Sequence, residues 1–272
     1  MIWHFKKTFV AENTNKSGNM KHIYRKLVPK NVREGINIGR GYLNMLKSWL
    51  SQSNIKDYKE IPIVINNFNH LIYLLSLIHA LEKRGYKNII ILDNNSNYPP
   101  LLEYYKTCPY RIEFLNKNLG YLALSKSSVY EEIKHGYYVY TDPDIVPIDE
   151  CPDDFLLKFL EILKSKVFLH KVGFSLKIDD IPNHYDKKEV VINWEKNFYK
   201  NEVTKGVFKA QIDTTFALHR PGSKISFLDG ITIHYRLNYP YQARHLPWYE
   251  NSNELSDELK HYYKNAVIGN HW

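Results

Sequence analysis

Two cysteines in 272 residues, Cys108 and Cys151, are too few for a disulfide framework, and a reducing compartment is expected. Long apolar runs are also missing. None approaches the ~20 residues that cross a bilayer, and the longest candidate, Leu71–Leu81, is interrupted by Ser76 and His79. Met1–Val10 carries Lys6 and Lys7 with no apolar stretch behind them, so no cleaved secretory signal is expected. Neither a G-x-G-x-x-G fingerprint nor a P-loop occurs, and the first strand–helix loop, Asn66–Leu71, has no glycine at all. Glycine-rich phosphate binding at a helix N-terminus is thereby excluded. Any phosphate held here needs another neutralising group, and a divalent cation on carboxylates is the obvious substitute.

What is present begins with an uneven charge. Residues 1–50 carry ten Lys or Arg against two Asp or Glu, whereas residues 51–272 carry twenty-seven of each. The net charge of +8 therefore belongs to the N-terminal segment. There, apolar Ile23, Leu27, Leu43, Leu46 and Trp49 alternate with basic Lys21, Arg25, Lys26, Arg40 and Lys47, partly at helical spacing. Pro29 and the glycines at 35, 39 and 41 are expected to break this stretch into pieces. A basic amphipathic segment suits an anionic membrane surface, where each Lys or Arg contributes ~1 kcal/mol. The alternative is a helical extension packed on the main domain. Nucleic-acid binding is not expected, because no recognised motif accompanies the charge.

From residue 56 the pattern alternates strand and helix. Strands are expected at Ile61–Asn66, Asn88–Leu92, Arg111–Leu115 and Tyr137–Thr141. Between them, helices are expected on Leu71, Leu74, Leu75, Ile78 and Leu81, at Pro99–Tyr105 and over Ser128–Lys134. This is an α/β pattern with a Rossmann-like, mostly parallel sheet flanked by helices. Ligands of such sheets bind at the carboxyl ends of the strands. Each polar cluster falls at such an end: Asn66-Asn67, Asp93-Asn94-Asn95-Ser96, Asn116–Gly120 and Asp142-Pro143-Asp144. On an extended segment residues i and i+2 point the same way, so Asp142 and Asp144 can face one cation. Their bland alternative is a β-turn with solvated aspartates.

The order and spacing of these four clusters resemble the nucleotide-sugar half of a GT-A fold glycosyltransferase, family 2-like and containing the D-x-D triplet. The resemblance covers residues 60–150 in motif detail. It implies that Asn66, Asn67 and Asp93 bind the nucleoside, with Asn118 and Gly120 lining the same pocket. Asp93 as an acceptor would suit the imide N–H of uracil or thymine, favouring a UDP- or dTDP-linked sugar. It implies further that Asp142 and Asp144 hold Mn²⁺ or Mg²⁺, with His245 as an additional ligand and His234 as the fallback. Arg244 or Arg236 would contact the diphosphate.

The second half must receive the acceptor and supply a base. Asp213, in Gln211-Ile212-Asp213-Thr214-Thr215, is the first choice and resembles the acceptor-side motif of such enzymes; Asp180 is the second. Trp248 either stacks on a sugar or wedges its loop into the core. The C-terminal tail, with Leu255, Leu259, Tyr262 and Tyr263 at helical spacing, should pack on the domain.

The expected organisation is a basic extension at 1–55, a nucleotide-sugar-binding half at 56–150, and an acceptor half with helical tail at 151–272. The expected activity is metal-dependent transfer of a sugar, with inversion, to a hydroxyl of a glycan or lipid-linked acceptor. An Asn-, Lys-, Ile- and Tyr-rich composition fits an AT-rich bacterial genome and surface-polysaccharide biosynthesis. That places the protein in the cytoplasm, peripherally at the inner membrane face. Three alternatives stay open: a sugar nucleotidylyltransferase, a hydrolase of sugar nucleotides, and a membrane-peripheral scaffold with an inactive transferase fold.

Overall fold

Strands buried on both faces read as continuous apolar runs, and Ile63–Asn67 (β1), Ile89–Asp93 (β2) and Tyr138–Thr141 (β4) are of this kind. With Arg111–Phe114 (β3) they pair in parallel, in the order β3-β2-β1-β4. The computed structural model describes residues 29, 32, 35, 39, 43, 46, 47, 50, 55–222 and 233–266. Contacts divide the chain into residues 1–44 and 45–272. In the first unit Gly35 and Gly39, expected as breakers, are themselves helical. An isolated helical glycine costs only ~1 kcal/mol relative to alanine. Gly41 and most of the basic segment lie outside the described residues. Among the described residues no helix is long and apolar enough to cross a membrane.

In the second unit the sheet continues past β4 through Ala217–His219 (β9), Leu169–Leu176 (β6), Ile233–His245 (β10), Val207–Lys209 (β8) and Glu202–Thr204 (β7). The short Ile145–Pro147 (β5) pairs with β10 off this path. β9 runs antiparallel to both β4 and β6, and β10 is parallel to β6. Strands β1 to β4, β6 and β10 therefore share one direction, and β9 is the reversed strand between them. The fold is the expected α/β class, a mostly parallel sheet flanked by helices.

Alternation along the strands sends Ile63 and Ile65 to one face and Val64 to the other. The larger core packs Ile72–Lys83 (α1) and Phe155–Ser165 (α4) on the first face. α1 buries Leu74, Leu77, Ile78 and Leu81, whereas Leu75, expected inside, is 39% exposed on the flank. Pro99–Tyr105 (α2) and Ser128–Ile133 (α3) fall where expected. α4, Lys188–Glu195 (α5) and the long β10 were not foreseen. At Gly173 the β6 backbone lies so close to β9 that a Cβ would sit 2.4 Å from the Phe216 carbonyl oxygen, so only glycine fits.

Three histidines gather where β6 meets β9 and β10: His170 and His219 are buried and His234 is half-buried. Lys171 stands opposite His219 and His234 in register. Burial, reinforced by the Lys171 ammonium, pushes His170 down to about 3 and His234 to about 2, with His219 also well below its ordinary value. All three are neutral in the fold, while the unfolded chain protonates them near pH 6.5. Stability is complete above that pH and falls as pH drops below about 6.5, by at most about 1.4 kcal/mol per pH unit for each histidine that stays neutral. Urea midpoints measured at pH 7.5, 6 and 5 should decline steeply, and His170→Gln should flatten the decline. A midpoint that holds constant down to pH 5 would refute the assignment.

Candidate active site

Two clefts open at the carboxyl ends of the parallel strands. The first, about 450 Å³, is lined by Asn66, Asn94, Asn118 and Gly120 together with Asp142 and Asp144. Phe68, His70, Tyr121 and Tyr262 add an aromatic wall. The second, about 360 Å³, is lined by Asp213, Glu195, Arg236, His245, Trp194 and Trp248, among others. Both volumes lie within the roughly 300–1,000 Å³ typical of small-ligand sites. Asp142 and Thr214 line both clefts and so mark where they meet.

Main-chain bonds fix this junction. The Asp142 N–H donates to the Thr214 carbonyl at 3.1 Å, and the Leu246 N–H donates to the Asp144 carbonyl at 2.9 Å. β5 pairs antiparallel with the end of β10, setting His245 opposite Ile145. That register delivers the His245 Nε2 to 3.2 Å from the Asp144 Oδ2. Sequence distance hid this pairing, since a hundred residues separate the two.

Charge at the junction is unbalanced. Burial pushes the Asp142 carboxyl up to about 7, helped by the neighbouring Asp144 charge, while bonds from Thr214 and Asn66 pull against it. The Asn66 Nδ2 donates to its Oδ1 at 3.4 Å. Burial also opposes the charge on Asp144, but His245 beside it holds that carboxyl below its ordinary value. Reciprocally, burial opposes the His245 charge and Asp144 overrides it, raising the imidazole.

Whether these residues suit a divalent cation can be tested on the donors themselves. Among the described residues no three His, Cys, Asp or Glu side chains are gathered in metal-holding geometry. The Asp144 Oδ1, His245 Nδ1 and Asn66 Oδ1 are nevertheless buried without hydrogen-bond partners. Mg²⁺ and similar ions commonly use one or two carboxylates and complete their shell with water and substrate phosphates. Two adjacent half-buried carboxylates, of which Asp144 has an unused oxygen, fit such an ion.

On the second cleft, Asp213 accepts from the Thr215 hydroxyl at 2.9 Å and from the Thr215 N–H at 3.1 Å. Burial works against its charge, yet Arg236, the Thr215 bonds and Lys171 keep the carboxyl below its ordinary value. Beneath it, the buried Lys171 Nζ donates to the Asp213 carbonyl at 2.9 Å. A carboxylate held ionised in a cleft can take a proton.

Other expected site residues are engaged elsewhere. Asp93 accepts from the Ser96 N–H at 2.9 Å and from the Tyr105 hydroxyl at 3.0 Å, and Asn67 donates to the same hydroxyl at 2.9 Å. Both are buried beneath the first cleft's turns and line neither cleft. Arg244 donates to Asp180 at 2.7 Å, and Tyr249 also donates to Asp180, which forms a clamp outside both clefts. The His234 Nδ1 accepts from the Ile212 N–H at 3.2 Å and supports the Asp213 segment instead of approaching Asp144.

Some lining residues carry no assigned role in the sequence pattern. Asn94 accepts from the Leu119 N–H at 2.7 Å and donates to the Gly120 carbonyl, shaping the loop over the first cleft. Tyr262 comes from Asp257–Asn265 (α6), the expected C-terminal helix, and packs its ring 4.3 Å from that of His70. Glu258 of α6 accepts from the Leu71 and Ile72 N–H groups at 3.0 Å, capping α1 and docking the tail. Trp194 and Glu195 carried no signal, because α5 has none of the turn residues that mark a strand end.

No family model matches the chain, and no curated protein matches it. Solved structures do. A mycobacterial protein shares 12% identity over 74% of this chain and 70% of its own, with a TM-score of 0.41. Glucosyl-3-phosphoglycerate synthase from Mycobacterium tuberculosis shares 12% identity with a TM-score of 0.36, both in complex with phosphoglyceric acid and in complex with Mn²⁺ and UDP-glucose. The similarity spans 59% and 68% of this chain, and 56% and 60% of the synthase, so the match covers little more than half of that protein.

Proposed function

We propose that the protein transfers a sugar from a nucleoside-diphosphate sugar to an acceptor hydroxyl. The observation that supports this most is the meeting of two clefts at Asp142 and Thr214, with the ionised Asp213 on the second cleft alone. One cleft takes the donor and the other the acceptor, and the reacting atoms meet between them.

In the first cleft, Asn66 and Asn118 present amides, a group that can both donate and accept and so suits the alternating imide and carbonyl edge of uracil or thymine. Asp142 and Asp144 would hold Mn²⁺ or Mg²⁺, with His245 beside them. Such an ion, when bound, stabilises the negative charge of a departing diphosphate. Asp213 orients the acceptor hydroxyl and takes its proton as the new bond forms. Thr215 and Lys171 fix the segment that carries it. Asp213 stands on the second cleft, apart from the acidic pair that would hold the diphosphate, and the transfer we propose proceeds with inversion. The acceptor is a glycan, free or lipid-linked, and the basic N-terminal fifty residues are consistent with work on a surface polysaccharide at an anionic membrane.

Calorimetry with UDP and with dTDP, each with and without Mn²⁺, tests the donor cleft. Binding should require Mn²⁺ and weaken at least tenfold in Asp144→Ala. Equal binding without the ion, and equal binding in the variant, would refute this reading. The second cleft favours a transferase over a hydrolase of the same donor, since water needs no chamber of 360 Å³.

A further inference from the structure

The second cleft has a chemistry that narrows its occupant. Its acids are Asp213, Glu195 and Asp142. Its guanidinium, Arg236, is already committed. The Arg236 Nη1 donates to Glu195 at 3.0 Å, its Nε donates to the Gln211 carbonyl at 2.8 Å, and its face lies 4.1 Å from the Phe198 ring centroid. His245 is paired with Asp144. The Lys171 ammonium lies under the Asp213 main chain and is not among the cleft-lining residues. An acceptor bearing a carboxylate or phosphate would therefore find no uncommitted cation among the described lining residues, and it would lie beside the Asp213 carboxylate.

Aromatic surface is plentiful in the same place. Trp194 lines the cleft although it is 52% exposed, and its ring meets Phe198 edge-on at 5.9 Å. Val190, one turn earlier on α5, is 54% exposed, so an apolar band runs outward from the cleft. Deeper in, Trp248 is 4% exposed and its buried Nε1 has no hydrogen-bond partner. A purely apolar occupant would desolvate the cleft's carboxylates without bonding them. An occupant with hydroxyls for those carboxylates and a C–H face for the exposed Trp194 indole avoids that cost.

We propose that the second cleft receives an uncharged sugar ring, stacked on Trp194, so that the acceptor is the end of a neutral glycan. This deepens the transferase reading and rests on it for the direction of transfer, but saccharide binding itself needs neither donor nor metal.

Saturation-transfer NMR on the full chain, without nucleotide or Mn²⁺, would be run with a panel of neutral oligosaccharides and a matched panel of sialylated and phosphorylated ones. Signal should come from the neutral panel. Trp194→Ala should weaken the best neutral ligand about tenfold, and should raise the acceptor KM by the same factor while the donor KM is unchanged. Trp194→Phe should restore most of the loss. Binding confined to charged saccharides, no binding to either panel, or Trp194→Ala equal to the parent protein would each overturn the inference. If saccharides bind while Mn²⁺-dependent UDP or dTDP binding fails, the transferase reading falls and the sugar site stands. If the nucleotide binds and no saccharide does, the sugar site alone falls.

Discussion

Asp213→Asn is expected to lower sugar transfer by about 100- to 10,000-fold, the contribution of a positioned general base. Asparagine keeps the shape of the side chain and can still accept from Thr215, so the segment Gln211–Thr215 should hold its course. What is lost is a carboxylate that Arg236, the Thr215 bonds and Lys171 hold below its ordinary range. Calorimetric binding of UDP or dTDP with Mn²⁺ should be unchanged, because Asp213 lines only the second cleft. Asp180→Asn provides the contrast. Asp180 is clamped by Arg244 and Tyr249 outside both clefts, so its loss should leave transfer largely intact. Normal turnover in Asp213→Asn, or a larger loss in Asp180→Asn, would remove Asp213 from the reaction.

The largest expected loss of stability comes from Arg220→Met. Arg220 is 1% exposed and directs its guanidinium at main-chain carbonyls: Leu169 and Lys166, both at 2.8 Å, and Leu163. Two of these carbonyls belong to the C-terminal turn of α4, where no intrahelical N–H remains to pair with them. A cation at that end is also favoured by the helix dipole. Methionine fills similar space but takes this donor from the buried Leu163 and Leu169 carbonyls, at about 1–3 kcal/mol each before relaxation, while the Lys166 carbonyl still accepts from the Leu169 N–H. A net loss of about 3–5 kcal/mol is expected, a large fraction of ordinary domain stability. The urea midpoint should fall with its slope unchanged. Arg220→Lys, which keeps the charge but reaches fewer carbonyls, should lie between. A loss below about 1 kcal/mol would show that water replaces the guanidinium.

Much of the scaffold was legible beforehand. Strands β1, β2 and β4 announced themselves as short apolar runs, each of β1 to β4 is closed by Asn or Asp, and helices α1 to α3 fall between them. The acidic pair was legible for the same reason, as i and i+2 residues beyond a buried strand. Partner choice was not. Asp93 and Asn67 stand at strand ends like Asn66, yet the Tyr105 hydroxyl comes from α2 to claim both of them, leaving Asn66 facing the cleft. Arg244 and His245 are adjacent in sequence, but on a strand they point to opposite faces, so one meets Asp180 and the other Asp144.

The amino-acid order alone determined the alternating elements, the direction of the leading strands and the placing of polar residues at their carboxyl ends, because each depends on local periodicity. Folding decided which of those polar groups are used. Insertion of the reversed strand β9 between β4 and β6 brings Thr214 onto Asp142, and the pairing of β5 with β10 brings His245 onto Asp144. Both contacts join segments about seventy to a hundred residues apart, and register between distant strands is fixed by the packing of the whole sheet, which no local pattern encodes.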